Sequence, residues 1–184
     1  KQQNTPNNKP SHTLWGMEAL SQAIAEAAGR EDVRAAVWRI YRLLEQQINR
    51  RRPVCQASGR CCRFEEYGHR LYVTTLELAA FARDLRTPPA ANPAEKGTLA
   101  LPVVGPSAGC VYQVDGLCSV HAIRPFGCRI FFCDASAEQW QQEQYERFHA
   151  ELKQAHEALD VPYFYVEWRQ GLAAMQAAFA ELRA

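Results

Sequence analysis

The chain has 184 residues, 47% of them hydrophobic and 22% charged, with a net charge of +1. That length suits a single domain with a sizeable core, and the near-neutral balance carries no electrostatic footprint for nucleic acid or an anionic membrane. No stretch approaches the roughly 18 apolar residues that a transmembrane helix needs, and residues 1–13, KQQNTPNNKPSHT, hold no apolar run of the secretory-signal kind.

These bounds predict a cytoplasmic protein with a flexible polar tail over residues 1–13 and one domain over residues 14–184. Residues 14–28 read as a helix, with Leu20 and Ile24 one turn apart and Gly29 as its stop. A second helix is expected from Glu31 to Arg51. Its apolar stripe is Val33, Val37, Ile40, Leu44 and Ile48, a 3.6-residue period, and Pro53 ends it. Arg50, Arg51 and Arg52 close that helix and match its dipole, so they do not read as a ligand patch.

Leu71 to Val73 is a short strand-like run. Thr74 and Glu77 then form a capping box ahead of a helix to about Leu85. Residues 87–108 contain five prolines and read as a long covering loop. CVYQVDGLCSVH, from Cys110 to His121, reads as a hairpin turning at Asp115-Gly116. Ser136, with Gln139 three residues on, is expected to cap a helix whose stripe is Tyr145, Phe148, Leu152 and Leu159. A last helix is expected from near Pro162, with Phe164, Trp168, Leu172, Met175, Phe179 and Leu182 as a core face. The fold class is therefore mainly α, with helices flanking a cysteine-rich irregular core and a small β-hairpin.

All seven cysteines lie in that middle, between residues 55 and 133. Buried structural cysteines behave as small hydrophobes and scatter over helix faces. These are segregated, odd in number and adjacent at Cys61 and Cys62, which disfavours a disulfide scaffold. Clustered thiolates are soft ligands and suit zinc or iron–sulfur clusters. Crowding thiolates concentrates negative charge. Arg60, Arg63, Arg124 and Arg129, each close in sequence to a cysteine, are candidates to offset it, and Arg is the usual partner of such charge.

Spacing suggests more than one metal. In an extended segment Cys61 and Cys62 would point to opposite faces, so they would chelate one ion poorly unless a turn intervenes. With a two-residue turn, Gln113 sits opposite Cys118 and Cys110 lies about 10 Å along at about 3.3 Å per residue. Sulfurs on one zinc lie within about 4 Å of each other, given Zn–S bonds near 2.3 Å. Cys110 and Cys118 would then serve different metals or different corners of a cluster, unless Cys110 lies off the strand.

The spacing Cys55, position 58, Cys61, Cys62, then Cys110, Cys118 and CSVHAIRPFGCRIFFC resembles the cysteine-cluster family named for its CxxCxxCC signature. Its members, also called YkgJ-like, are described as zinc- or iron-chelating domain proteins and are often labelled Fe–S oxidoreductases. A related cluster occurs in flagellin lysine methylases. The stretch CSVHAIRPFGCR is similar to the family's C-S-I-Y-x-x-R-P-x-x-C-R segment, and Thr75-Leu76-Glu77 resembles its T-x-x-E helix start. The resemblance covers roughly residues 55–133. It implies Cys55, Cys61, Cys62, Cys110, Cys118, Cys128 and Cys133 as metal ligands. The family pattern has eight cysteines, and Ser58 stands where this chain lacks the second. Seven thiolates cannot fill two four-coordinate sites without bridging, so Ser58, His121, Asp134 or water is expected to complete the set, or the site binds a single metal.

Other chemistries are weaker. A Cys–His nucleophile would need a thiolate beside His121 or His69. His149 and His156 share a helix face and read as packed or solvated. Glu65 and Glu66 read as a solvated loop pair. No phosphate-binding glycine loop, G-x-S-x-G or H-E-x-x-H is present. The expectation is a metal-binding protein carrying an iron–sulfur cluster or iron, with a redox or cofactor-dependent role and an unidentified redox or protein partner. The alternatives are a structural zinc domain that presents an interaction surface and a metal carrier.

Overall fold

The computed structural model describes residues 12–86 and 109–179. The expected proline-rich loop at 87–108, Leu182 and most of the expected tail lie outside the described residues.

The architecture is mainly helical, with two small two-stranded antiparallel sheets among the described residues. Helix α1 spans His12–Ala28, two residues earlier than expected, and α2 spans Glu31–Arg51. Glu31 and Asp32 open α2 and Arg50 and Arg51 close it, each favourable to the helix dipole. Arg52 ends it in the left-handed conformation, returning its N–H to the Ile48 carbonyl. A four-residue helix α3, Phe64–Tyr67, follows the first cysteines. It carries Glu65 and Glu66, so these are helical residues and not a loop pair. Glu65 pairs with Arg169 at 2.9 Å and Glu66 with Arg63 at 3.0 Å.

Strand β1 is Tyr72–Thr74 and runs into α4, Thr75–Arg86. The capping box forms: Thr74 N donates to Glu77 Oε2 at 2.9 Å, and Glu77 N donates to Thr74 Oγ1 at 3.4 Å. The hairpin pairs β2, Gln113–Val114, with β3, Leu117–Cys118, in the expected register of Gln113 opposite Cys118. Asp115 and Gly116 both have positive φ, 49° and 79°, as a type I′ turn requires.

Helix α5 covers Phe126–Ile130 and α6 covers Glu138–Leu159. Ser136 does not cap α6. Instead Asp134 caps a 3-10 turn at Ala135–Ala137, accepting from Ser136 N at 3.0 Å, and Gln139 bonds along the helix to Glu143. The extra turn absorbs the cap, so α6 begins one residue later than expected, with no side-chain partner at its N-cap, Ala137.

The last helix also starts later than expected. Tyr165–Glu167 is strand β4, paired antiparallel with β1, and α7 is Trp168–Ala178. Two β-favouring residues, Tyr165 and Val166, ahead of a strong amphipathic run are hidden from a single-window reading. Their strand state depends on β1, which lies ninety-odd residues away in sequence.

The core centres on α4, which packs against α1, α2 and α7, while α6 covers α2. Residues Thr75 through Ala82 are all buried. A helix buried on every face belongs at the centre of a bundle. Around it close Leu20, Ile24, Val37, Ile40, Leu44, Phe148, Leu152, Leu172 and Met175. Two buried carboxylates lock this packing. Asp84 on α4 accepts from Arg34 Nε at 2.6 Å and Trp38 Nε1 at 2.7 Å, both on α2. Glu77 accepts from Thr74, from Tyr41 on α2, and from the Phe126 N–H that opens α5. No helix among the described residues is long and apolar enough to cross a membrane.

Candidate metal centre

The cysteines reach their positions on short, tightly turned segments bolted to the helical frame. After α2 the chain runs without regular structure to Gly59, whose φ of 68° turns it into a 3-10 turn at Arg60–Cys62. A Cβ at Gly59 would come within 2.4 Å of Gln113 Nε2 and 2.5 Å of the Gly116 carbonyl oxygen. The hairpin therefore docks directly on this loop, and Gln113 donates to the Gly59 carbonyl at 3.0 Å. Gly109 serves the same purpose from the other side: its missing Cβ would lie 2.7 Å from the Cys62 carbonyl oxygen, which accepts from Cys110 N at 2.7 Å.

That geometry changes two expectations. Cys61 and Cys62 do not point to opposite faces, because a 3-10 turn replaces the extended segment. Their sulfurs are 4.0 Å apart. Cys110 lies off the strand, since β2 begins only at Gln113, and its N–H donates to the Cys62 carbonyl at 2.7 Å. The Cys62 thiol is hydrogen-bonded to that of Cys61, and Cys110 and Cys118 are its further sulfur neighbours. Cys62 draws each of these three thiols below the ordinary value of 9.0, to about 7, while the Cys62 thiol itself is pushed far up. Trp168, almost fully buried, adds an indole N–H to the Cys110 sulfur at 3.4 Å.

Six of the seven cysteines, all but Cys110, line one cavity of about 410 Å³, together with Ser58, His121, Arg124 and Arg129. Cys128 enters from α5, and burial raises its thiol well above the ordinary range, with the neighbouring sulfurs adding to the effect. Cys133 lies at the other end, 3.6 Å from Ser58 Oγ and within reach of Arg60. Cys55 is exposed.

The arginines divide. Arg124 favours the charged forms of Cys61, Cys118 and Cys128. It also donates to the His121 ring and to the His121 carbonyl at 2.9 Å. Arg129 is held by the carbonyls of Arg124 and Ala122 and stacks over Tyr41. Arg63 turns to Glu66 and donates to the Ser58 carbonyl at 2.9 Å, which supports the loop rather than the cavity. Asp134 is committed elsewhere, accepting from Val54 N, Ser136 N and Ser136 Oγ.

Among the described residues, no three of the Cys, His, Asp and Glu side chains are arranged around a point that could hold a metal ion. The donor chemistry nonetheless fits a soft metal: Cys61 and Cys62 are spaced near the roughly 4 Å edge of a tetrahedral thiolate site. Trp168 and Glu77, which hold Cys110 and the start of α5, were missed in the sequence as parts of the site. A pattern of spacings among cysteines carries no trace of a tryptophan fifty-eight residues away. No family profile, curated protein or solved structure matches the chain.

Proposed function

We propose that this chain is a metal-binding protein whose cysteine cluster chelates iron, held as an iron–sulfur cluster, with zinc as the competing ion. The observation that carries this reading is a single cavity lined by six of the seven cysteines, with the Cys61 and Cys62 sulfurs 4.0 Å apart. Cys61, Cys62, Cys110 and Cys118 form one group of candidate donors. Cys55, Cys128, Cys133 and Ser58 form the remainder. Such crowding has no structural rationale in a disulfide-free core, and it suits a soft cation that neutralises several thiolates at once. Arg124 supplies a fixed positive charge beside three of the sulfurs. The CxxCxxCC resemblance points the same way. A bound iron–sulfur cluster would supply one-electron transfer, and this is the basis for a redox role.

The test is purification without oxygen, followed by a visible spectrum and elemental analysis for iron, zinc and sulfide. A brown protein with broad visible absorption, iron and sulfide supports the reading. A colourless protein with stoichiometric zinc replaces it with a structural zinc domain. A protein with neither metal after expression in iron- and zinc-replete medium overturns metal binding.

A further inference from the structure

Exposed apolar side chains gather around the thiol cavity. Seven large hydrophobic residues are exposed among the described residues, and five of them stand on or beside the segments that form this cavity: Val54, Tyr67, Val114, Leu117 and Phe131. Leu117 and Phe131 line it, Val114 is the cross-strand partner of Leu117, Val54 precedes the lining residue Cys55, and Tyr67 lies under the lining residue Arg60. Val54, Val114 and Leu117 are 60%, 56% and 62% exposed, so each gives most of its surface to solvent. The hairpin does not require this. Its turn is set by Asp115 and Gly116, and the flanking pair has no part in the turn geometry.

The charge interleaved with these side chains is of one sign. Residues 50–63 hold five arginines and no Asp or Glu. Arg60, Arg124 and Arg129 line the cavity, and no acidic residue does. Arg60 is exposed, with its guanidinium 4.4 Å from the Tyr67 ring and its hydrogen bonds directed to Tyr67 and Cys133 rather than to a carboxylate. The neighbouring acids are committed: Glu66 to Arg63, Glu65 to Arg169, and Asp134 to Val54 N and Ser136. Neither residues 50–63 nor residues 109–134 contain a lysine. Apolar and aromatic side chains set among arginines, without lysine, are the composition of a protein–protein interface.

We propose that this rim docks a protein partner that presents acidic side chains around an apolar centre. The apolar centre covers Val114 and Leu117, and the acids face Arg60 and Arg124. The chain's own remaining segments do not bring that charge: residues 87–108 hold one Glu and one Lys, residues 1–11 two Lys and no acid, and residues 180–184 one Glu and one Arg. A second copy would set arginine against arginine. A single-stranded nucleic acid needs open aromatic faces, yet Arg60 and Arg63 cover Tyr67 and His69 stacks on Phe131. An anionic membrane would have to take in Asp115, which lies between Val114 and Leu117 at the hairpin tip. The inference stands on the rim and not on which ion fills the cavity.

The probe is a library of random short peptides displayed on phage and panned against the protein as purified. Enriched sequences should combine Asp or Glu with Leu, Ile or Phe. A synthetic copy of the most enriched peptide should bind saturably in calorimetry, and more weakly as salt is added. Val114→Ser, at an exposed residue outside the cavity wall, should weaken that peptide roughly tenfold or more, and Arg60→Gln should do the same while flattening the salt dependence. Three results would each overturn the proposal: no enrichment of acidic peptides, undiminished binding to Val114→Ser, or undiminished binding to Arg60→Gln. Saturable binding of a single-stranded RNA or of phosphatidylserine vesicles, or self-association in sedimentation, that is lost in Val114→Ser would also overturn it and give the rim to nucleic acid, lipid or a second copy.

Discussion

Cys62 has the most constrained position of the seven cysteines. It is 4% exposed, its carbonyl is tied to Cys110 N, and its sulfur lies 4.0 Å from that of Cys61. Cys62→Ala should therefore lower the bound-metal stoichiometry. It should also lower the Tm of the metal-loaded protein by roughly 5 °C or more, equivalent to about 2 kcal/mol at this chain length. Unchanged metal content and melting would remove Cys62 from the ligand set. His156 makes a different kind of prediction. It is 2% exposed, its Nδ1 donates to the Val161 carbonyl at 3.0 Å, and its Nε2 is buried without a partner. Burial lowers its pKa from the ordinary 6.5, against a smaller opposing effect of the Val161 bond. In the window between that value and the lower native one, the unfolded chain binds the proton and the folded chain does not. Stability is thus complete above pH 6.5 and is lost as pH falls through the native value, by about 1.4 kcal/mol per pH unit crossed. Urea denaturation at pH 7.5 and pH 5 should show a larger loss for the parent protein than for His156→Phe.

At the level of elements, the loop from Cys55 to Cys62 and the hairpin form one unit because two glycines let their backbones touch. Gly59 needs its positive φ and has no room for a Cβ against Gln113 and Gly116. Gly59→Ala should push the hairpin off the loop at a cost of about 1–3 kcal/mol. It should also separate Cys118 from Cys62, so the variant should load less metal than the parent as well as melt lower. A loss of stability with full metal loading would mean that the hairpin contact does not position Cys118. The pairing of β1 with β4 is the other element-level device. It carries Trp168, the donor to Cys110, to the start of α7, where the Trp168 N–H bonds the Leu71 carbonyl at 2.8 Å.

Over the whole molecule, one apolar core reaches from the helices into the cysteine segments. Most of it comes from α1, α2, α4, α6 and α7, with Asp84 and Glu77 as buried polar locks. Phe64, Tyr112, Val120, Ile123, Phe126 and Ile130 extend it, and Cys110, Cys118 and Cys128 pack against it. Apolar burial of those five helices should hold them together without the ion. Stripping metal with a chelator should lower the Tm but leave most of the far-UV helical signal at 25 °C. Collapse of the helical signal in step with metal loss would show that the helices also need the ion.

The sequence by itself determined the helices with strong periodic faces, the capping box at Thr74 and Glu77, the two-residue turn at Asp115-Gly116, and the confinement of every cysteine to the middle of the chain. Each of these is written in neighbours a few residues apart, where spacing and backbone preference act directly. Only the tertiary structure decided that Cys61 and Cys62 share a turn, that Cys110 is tied to the Cys62 carbonyl, that Tyr165–Glu167 is a strand, and that Asp134 and Arg63 are occupied away from the cavity. These depend on contacts between segments far apart in the chain, through Gly59, Gly109, Glu77 and Trp168. Local pattern carries no record of which distant surface a turn will meet, because that choice is made by packing the whole core at once.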